Sequence, residues 1–284
     1  MNVPRHGESG PNNVVYAKRL ADSTARSVLR LERSPRMVDI TFDKAVMSAQ
    51  AHCAVDPRAL ALETWEATVN AMQVGSALFA TSSRIDGSVP CRINRDLLSI
   101  PATGAQPYSN AGDWLNAFWF AIVCRDQVRI TQLCEIPVDL LRASGAAYDE
   151  YIYHWVGALQ AYWLKRPGLV DELTSAIQNS YPDIARIADR GSLEKVLHQP
   201  INLFHQFLRK DDEGFNRALV EALEHHKQYW TETEEREESV KGFLALSLLA
   251  ATCLAYDGGI PVEVESDYLP RHLLERSWGG EFET

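Results

Sequence analysis

"NLFHQFLRKDDEGFNRALVEALEHHKQYW", residues 202–230, decides between two kinds of protein. An apolar helical run breaks at Asp211-Asp212-Glu213 and resumes at Phe215, after which Ala218/Leu219, Ala222/Leu223, His226 and Tyr229/Trp230 recur at 3/4 spacing. That repeat predicts an amphipathic helix. Had Glu221, His225 and His226 faced one ion, the helix would be the wall of a metal centre. Adjacent helical residues project about 100° apart, so His226 falls on the buried edge and His225 toward solvent. Glu221 lies one turn from His225 only, which gives two ligands at best. A di-iron bundle needs Glu-x-x-His twice, with further glutamates on other helices. The expectation is therefore an i,i+4 surface pair, a core-edge His226, and neither metal nor cofactor. Asp211, Asp212 and Glu213 read as caps of the helix that follows.

Helical periodicity continues on both sides. Asn13 to Arg33 places Val14, Ala17, Ala21, Ala25 and Val28 on one face before Pro35 stops it, and another helix starts near Thr41. Asp56-Pro57 reads as N-cap and first helical position for a face carrying Leu62, Trp65, Val69, Met72, Ser76 and Phe79. Helices resume at Ser109 with Trp114, Phe118 and Ile122, and again with Ile152, Trp155 and Leu159, closed by Pro167-Gly168. "LVDELTSAIQN" (169–179) and "DIARIADRGSLEKVLHQ" (183–199) predict shorter helices, with a break near Gly191. "GFLALSLLAATCLAY" (242–256) is apolar on every side, which predicts a central core helix. Its length falls short of the roughly 20 residues that cross a bilayer. "DGG" then stops the helix, and "IPVEVE" (260–265) alternates as a short strand does.

Residues 82–108 are rich in turn formers, with Asp86-Gly87 placed for a hairpin. A boundary between two lobes would fall there. "AFWFAIVCRDQVRITQLCEI" (117–136) echoes residues 203–222 as helix, basic residue, aspartate, helix, too loosely for a tetratricopeptide-type repeat. The fold expected is mainly α, one domain over residues 1–284, built as an irregular stack of antiparallel helical hairpins with minor short β segments.

Charge is uneven. Residues 1–36 carry seven Lys/Arg against three Asp/Glu, whereas residues 231–284 carry four against twelve, within a formal net charge of −10. Such a balance disfavours nucleic acid and anionic membrane surfaces and favours a cationic protein partner. Five cysteines, odd in number and without a C-x-x-C pair, argue against a disulfide framework or zinc knuckle and fit a reducing cytoplasm. The first ten residues show no secretory h-region. There is no G-x-S-x-G elbow, P-loop or G-x-G-x-x-G, and nothing local activates Cys134 against His154. Three function classes stay open on the residues alone: a binding protein, a helical enzyme of unrecognised class, metal-dependent or not, and a helical scaffold.

"CEIPVDLLRASG" (134–145), "YDEYIYHWVGALQAYWLKRP" (148–167), "PINLFHQFLRKDDEGFNRALVEALEHHKQYW" (200–230) and "GFLALSLLAATCLAYDGGIPVEVESDYLPRHLL" (242–274) together resemble the immunity-protein-49 family of bacterial polymorphic-toxin systems. The resemblance covers residues 110–275 in pattern and the whole chain in length. It implies a mainly α, non-enzymatic protein that binds and blocks a cognate toxin, and it brings no active-site residues. The acidic segments are then the expected partner-binding surface: Glu232, Glu234, Glu235, Glu237 and Glu238 in one, Glu263, Glu265 and Asp267 in the other. Both should face solvent. The competing reading is that Glu-rich turns merely solvate the surface and cap a helix.

Overall fold

The computed structural model of the chain describes residues 1–8 and 10–280. Three long helices come first: α1 (Pro11–Val28), α2 (Val38–Val55) and α3 (Leu62–Ser82). A two-stranded antiparallel hairpin, β1 (Ser88–Ile93) and β2 (Asp96–Pro101), follows. Then come α4 (Ala111–Cys124), α5 (Gln127–Cys134), α6 (Val138–Ala143), α7 (Glu150–Trp163) and α8 (Leu169–Asn179). The one-turn α9 (Arg190–Ser192) runs into a π-helical turn, Leu193–Leu197, before α10 (Gln199–Arg209) and α11 (Asp212–Trp230). One-turn α12 (Glu234–Glu237), α13 (Leu246–Asp257) and short α14 (Arg271–Leu274) complete the described chain. The protein is mainly α, and helices adjacent in sequence pack as pairs: α1 with α2, α2 with α3, α3 with α4, α7 with α8, α10 with α11.

The apolar run forms the centre, as its composition requires. Leu246, Leu248, Leu249, Ala250, Ala251, Cys253 and Ala255 of α13 are all buried, against α4, α10 and α11. The core helix begins at Leu246 instead of Gly242. Gly242 is jammed under Trp230 and His6, where a Cβ would lie 2.8 Å from the indole, and the chain turns through a 3₁₀ segment and an extended Leu244 before helix can start. The stretch Val240–Asp257 is strongly apolar, and most of it is buried inside the protein.

The hairpin echo is real at the turn. Arg125 and Lys210 both adopt the left-handed conformation, at φ 56° and 55°. In each, the left-handed residue's N–H bonds three residues back and the next N–H five residues back, the Schellman pattern. Asp126 and Asp211 then cap the next helix by accepting from Arg129 N and Gly214 N. Arg125 goes further. Its guanidinium donates to the carbonyls of Val123, Leu273 and Leu274 and pairs with Asp257, tying α4 to α13 and α14.

Several expectations are corrected. α1 ends at Val28, ahead of Pro35, and the intervening residues close as turns. Asp56 does not start a helix at Pro57, since Ala59 is left-handed; its carboxylate instead accepts from Leu60 N, Ala61 N and Thr64 Oγ1, organising the entry to α3 from a distance. The β-turn lies at Asn94-Arg95, eight residues beyond the Asp86-Gly87 pair that leads into β1. Gln73 of α3 decides the matter by accepting from Asn94 N at 2.7 Å. Residues 183–189 are not helical, because Asp149 captures the N–H groups of Arg186, Ile187 and Ala188. "IPVEVE" forms a single parallel bridge, Asn2 to Glu265, in place of a strand.

Candidate partner-binding face

α11 positions the histidines as its periodicity dictates, and they part company. His226 is buried, and its Nε2 donates to the Gly242 carbonyl at 2.8 Å. His225 turns the other way and accepts from Gln199 Nε2 at 3.0 Å, while Glu221 is exposed. Among the described residues no three His, Cys, Asp or Glu side chains gather as metal ligands. His154 bonds Glu172 of α8 at 2.8 Å, and burial pushes the Cys134 thiol up, away from the thiolate a nucleophile needs.

His6 is the residue that sequence reading missed. Tyr268 accepts from the His6 backbone N–H at 2.9 Å, and its hydroxyl meets Nδ1 at 2.6 Å. The His6 ring stacks on Phe243 with centroids 4.8 Å apart, and His226 meets Tyr268 edge-on at 4.9 Å. This aromatic knot fastens the N-terminal segment to α11 and to the entry of α13. No local pattern around His6 announces it.

Burial lowers the His226 pKa to about 4. Because the folded value lies below the unfolded one, near 6.5, the unfolded chain binds more protons between those values. Stability from neutral His226 is therefore complete above about pH 6.5 and is lost as pH falls toward 4, by roughly 3 kcal/mol in all. Asp113, pushed up to about 6 by burial, acts with the opposite sign over much of that window. The clean observable is a difference: His226→Gln keeps a donor for Gly242 and removes the titration. Urea melts should show the variant gaining on wild type by a few kcal/mol from pH 7 to pH 4. A constant difference would mean that His226 does not titrate in this range.

The two acidic segments are exposed, and the structure separates them. In residues 231–239, Thr233 caps α12, Arg236 lies over the Tyr229 ring at 4.0 Å, and Arg236 and Lys195 both pair with Glu232. Glu234, Glu235, Glu237 and Glu238 face solvent. Glu263 and Glu265 lie on the segment that pairs with the N-terminus: Met1 N donates to Glu263 O at 2.8 Å and Val3 N to Glu265 O at 3.0 Å. Glu265 and Asp267 border a recess of about 580 Å³ that also holds Arg58 and Arg271, so that edge is mixed in sign. His6 stands between the segments, bonded to Tyr268 on one side and within the field of Glu237 on the other.

Two larger hollows complete the surface. A cleft of about 820 Å³ opens between α1, α2, α3 and the Asn94-Arg95 turn, with buried Ser48, His52 and Gln73 on its floor. A groove of about 590 Å³ runs between α4, α7 and the end of α11, walled by Trp119, Tyr151, Trp155 and Trp230. Trp119 and Trp155 stand 6.0 Å apart. Its walls come from separate elements, so the sequence displays tryptophans on helical stripes and nothing to say that their edges meet.

The family model described as "Immunity protein 49" matches residues 56–273. No curated protein and no solved structure matches the chain.

Proposed function

The chain belongs to the immunity protein 49 family, and from that premise we propose that it neutralises a cognate bacterial toxin by direct, stoichiometric contact in the cytoplasm. The observation that carries the reading is the family match over residues 56–273. Two features of the molecule support it. Its five thiols are free, and burial raises each of their pKa values. Its exposed charge concentrates in segment 231–239, five glutamates around one arginine.

That segment acts in this reading by steering. A cationic toxin is drawn to Glu234, Glu235, Glu237 and Glu238, with Glu232, Glu263, Glu265 and Asp267 adding to the field. Replacing those four glutamates by lysine should slow association with the toxin encoded beside this gene and flatten its salt dependence. Dissociation should change less, since exposed pairs contribute only about 0–1 kcal/mol each. The melting temperature should stay put. Equal association rates for wild type and variant at low and high salt would remove the segment from the recognition surface.

A further inference from the structure

Resting on the reading above, we infer that the aromatic groove between α4, α7 and the end of α11 is the anchor site for the toxin. It takes an apolar side chain from a toxin loop whose neighbouring residues are cationic. Three independent features meet there.

The first is the groove's chemistry. At about 590 Å³ it is large enough for several side chains. Its walls are indole and phenol rings set into the core, with Trp119, Tyr151 and Trp155 only 2–5% exposed and Trp230 half-buried, so the hollow is apolar and rigid.

The second is the rim. Trp230 and Lys241 both line the groove, so the acidic segment strung between them is held at its edge by construction. Lys195, one residue before the lining Val196, pairs with Glu232 at 3.4 Å. Asp189, also on the lining, feels the charge of Arg236. The lip is thus anionic beside an apolar floor, which selects a partner that is apolar at its tip and cationic around it.

The third is the loop that carries Ile187. Ile187 lines the groove and is 55% exposed, and Tyr181 and Ile184 are exposed earlier on the same segment. This loop is preorganised, because the Asp149 carboxylate accepts from the backbone N–H groups of Arg186, Ile187 and Ala188 at 2.6–3.1 Å. Large apolar side chains on a loop already fixed in place need little further ordering to bind. The N-terminal cleft lacks this combination, since its floor is polar and its mouth mixes Asp22, Glu63 and Glu66 with Lys18 and Arg95.

The test uses the full chain and the toxin encoded beside its gene. Ile187→Asp places a like charge on the lip, and Ala147→Trp fills the groove from an exposed lining position. Each should weaken toxin binding by about 30-fold or more, the size of a hot-spot loss, with the melting temperature unchanged. Full affinity in Ile187→Asp and Ala147→Trp would overturn the inference while leaving the immunity reading intact. So would a self-association that Ile187→Asp abolishes with toxin binding unchanged, because a second copy would then own the groove. A wild-type protein that does not bind the toxin would sink the parent reading and this one with it.

Discussion

Leu249→Asp should leave no cooperatively folded protein. Leu249 sits in the middle of α13 with none of its surface exposed, and α13 is the helix against which α4, α10 and α11 pack. The change removes about 2–3 kcal/mol of apolar burial. It also strands a carboxylate in the core at several kcal/mol more, against a total stability of roughly 5–15. Circular dichroism melts and limited proteolysis read the outcome. Leu249→Ala should remain folded with a stability lower by about 2–5 kcal/mol. A soluble Leu249→Asp protein melting near the wild-type temperature would place this helix at the surface and contradict the architecture.

Gly75→Val should be nearly as damaging, from a residue that carries no side chain. Glycine inside a helix costs about 1 kcal/mol relative to alanine, so its presence in α3 needs a packing reason. A Cβ at Gly75 would lie 2.7 Å from the Phe42 ring of α2 and 2.9 Å from Ala117 Cβ of α4. α2, α3 and α4 meet at this point, and both neighbours are themselves buried. The branched side chain should destabilise by about 3 kcal/mol or more in urea melts. Phe42→Leu, by making room, should recover part of that loss in a double-mutant cycle. A Gly75→Val protein as stable as wild type would mean that α2 and α4 do not close over α3 as described.

Where local chemistry decides structure, the sequence is legible. The α11 stripe, the His225/His226 divergence, the cap at Asp211, and the exposure of both acidic segments all follow from spacing and charge. Where a distant atom decides, it is not. Asp86-Gly87 and Asn94-Arg95 are both good turn pairs, and only Gln73, some twenty residues earlier, selects between them. "DIARIAD" has helical spacing, but the Asp149 carboxylate takes the N–H groups a helix would use. The start of α13 shifts because Trp230 crowds Gly242. The acidic residues were visible as a charged surface. Their division, with 231–239 strung between Trp230 and Lys241, two residues that line an aromatic groove, and Glu265 and Asp267 beside Arg58 and Arg271, depends on tertiary packing.

Neutralisation by binding and neutralisation by chemistry differ in their stoichiometry. Toxin activity measured while the purified protein is added at concentrations well above the dissociation constant should fall in a straight line and reach zero near one equivalent. Complete protection at a small fraction of an equivalent would mean that the protein turns over a substrate, and direct inhibition would be wrong.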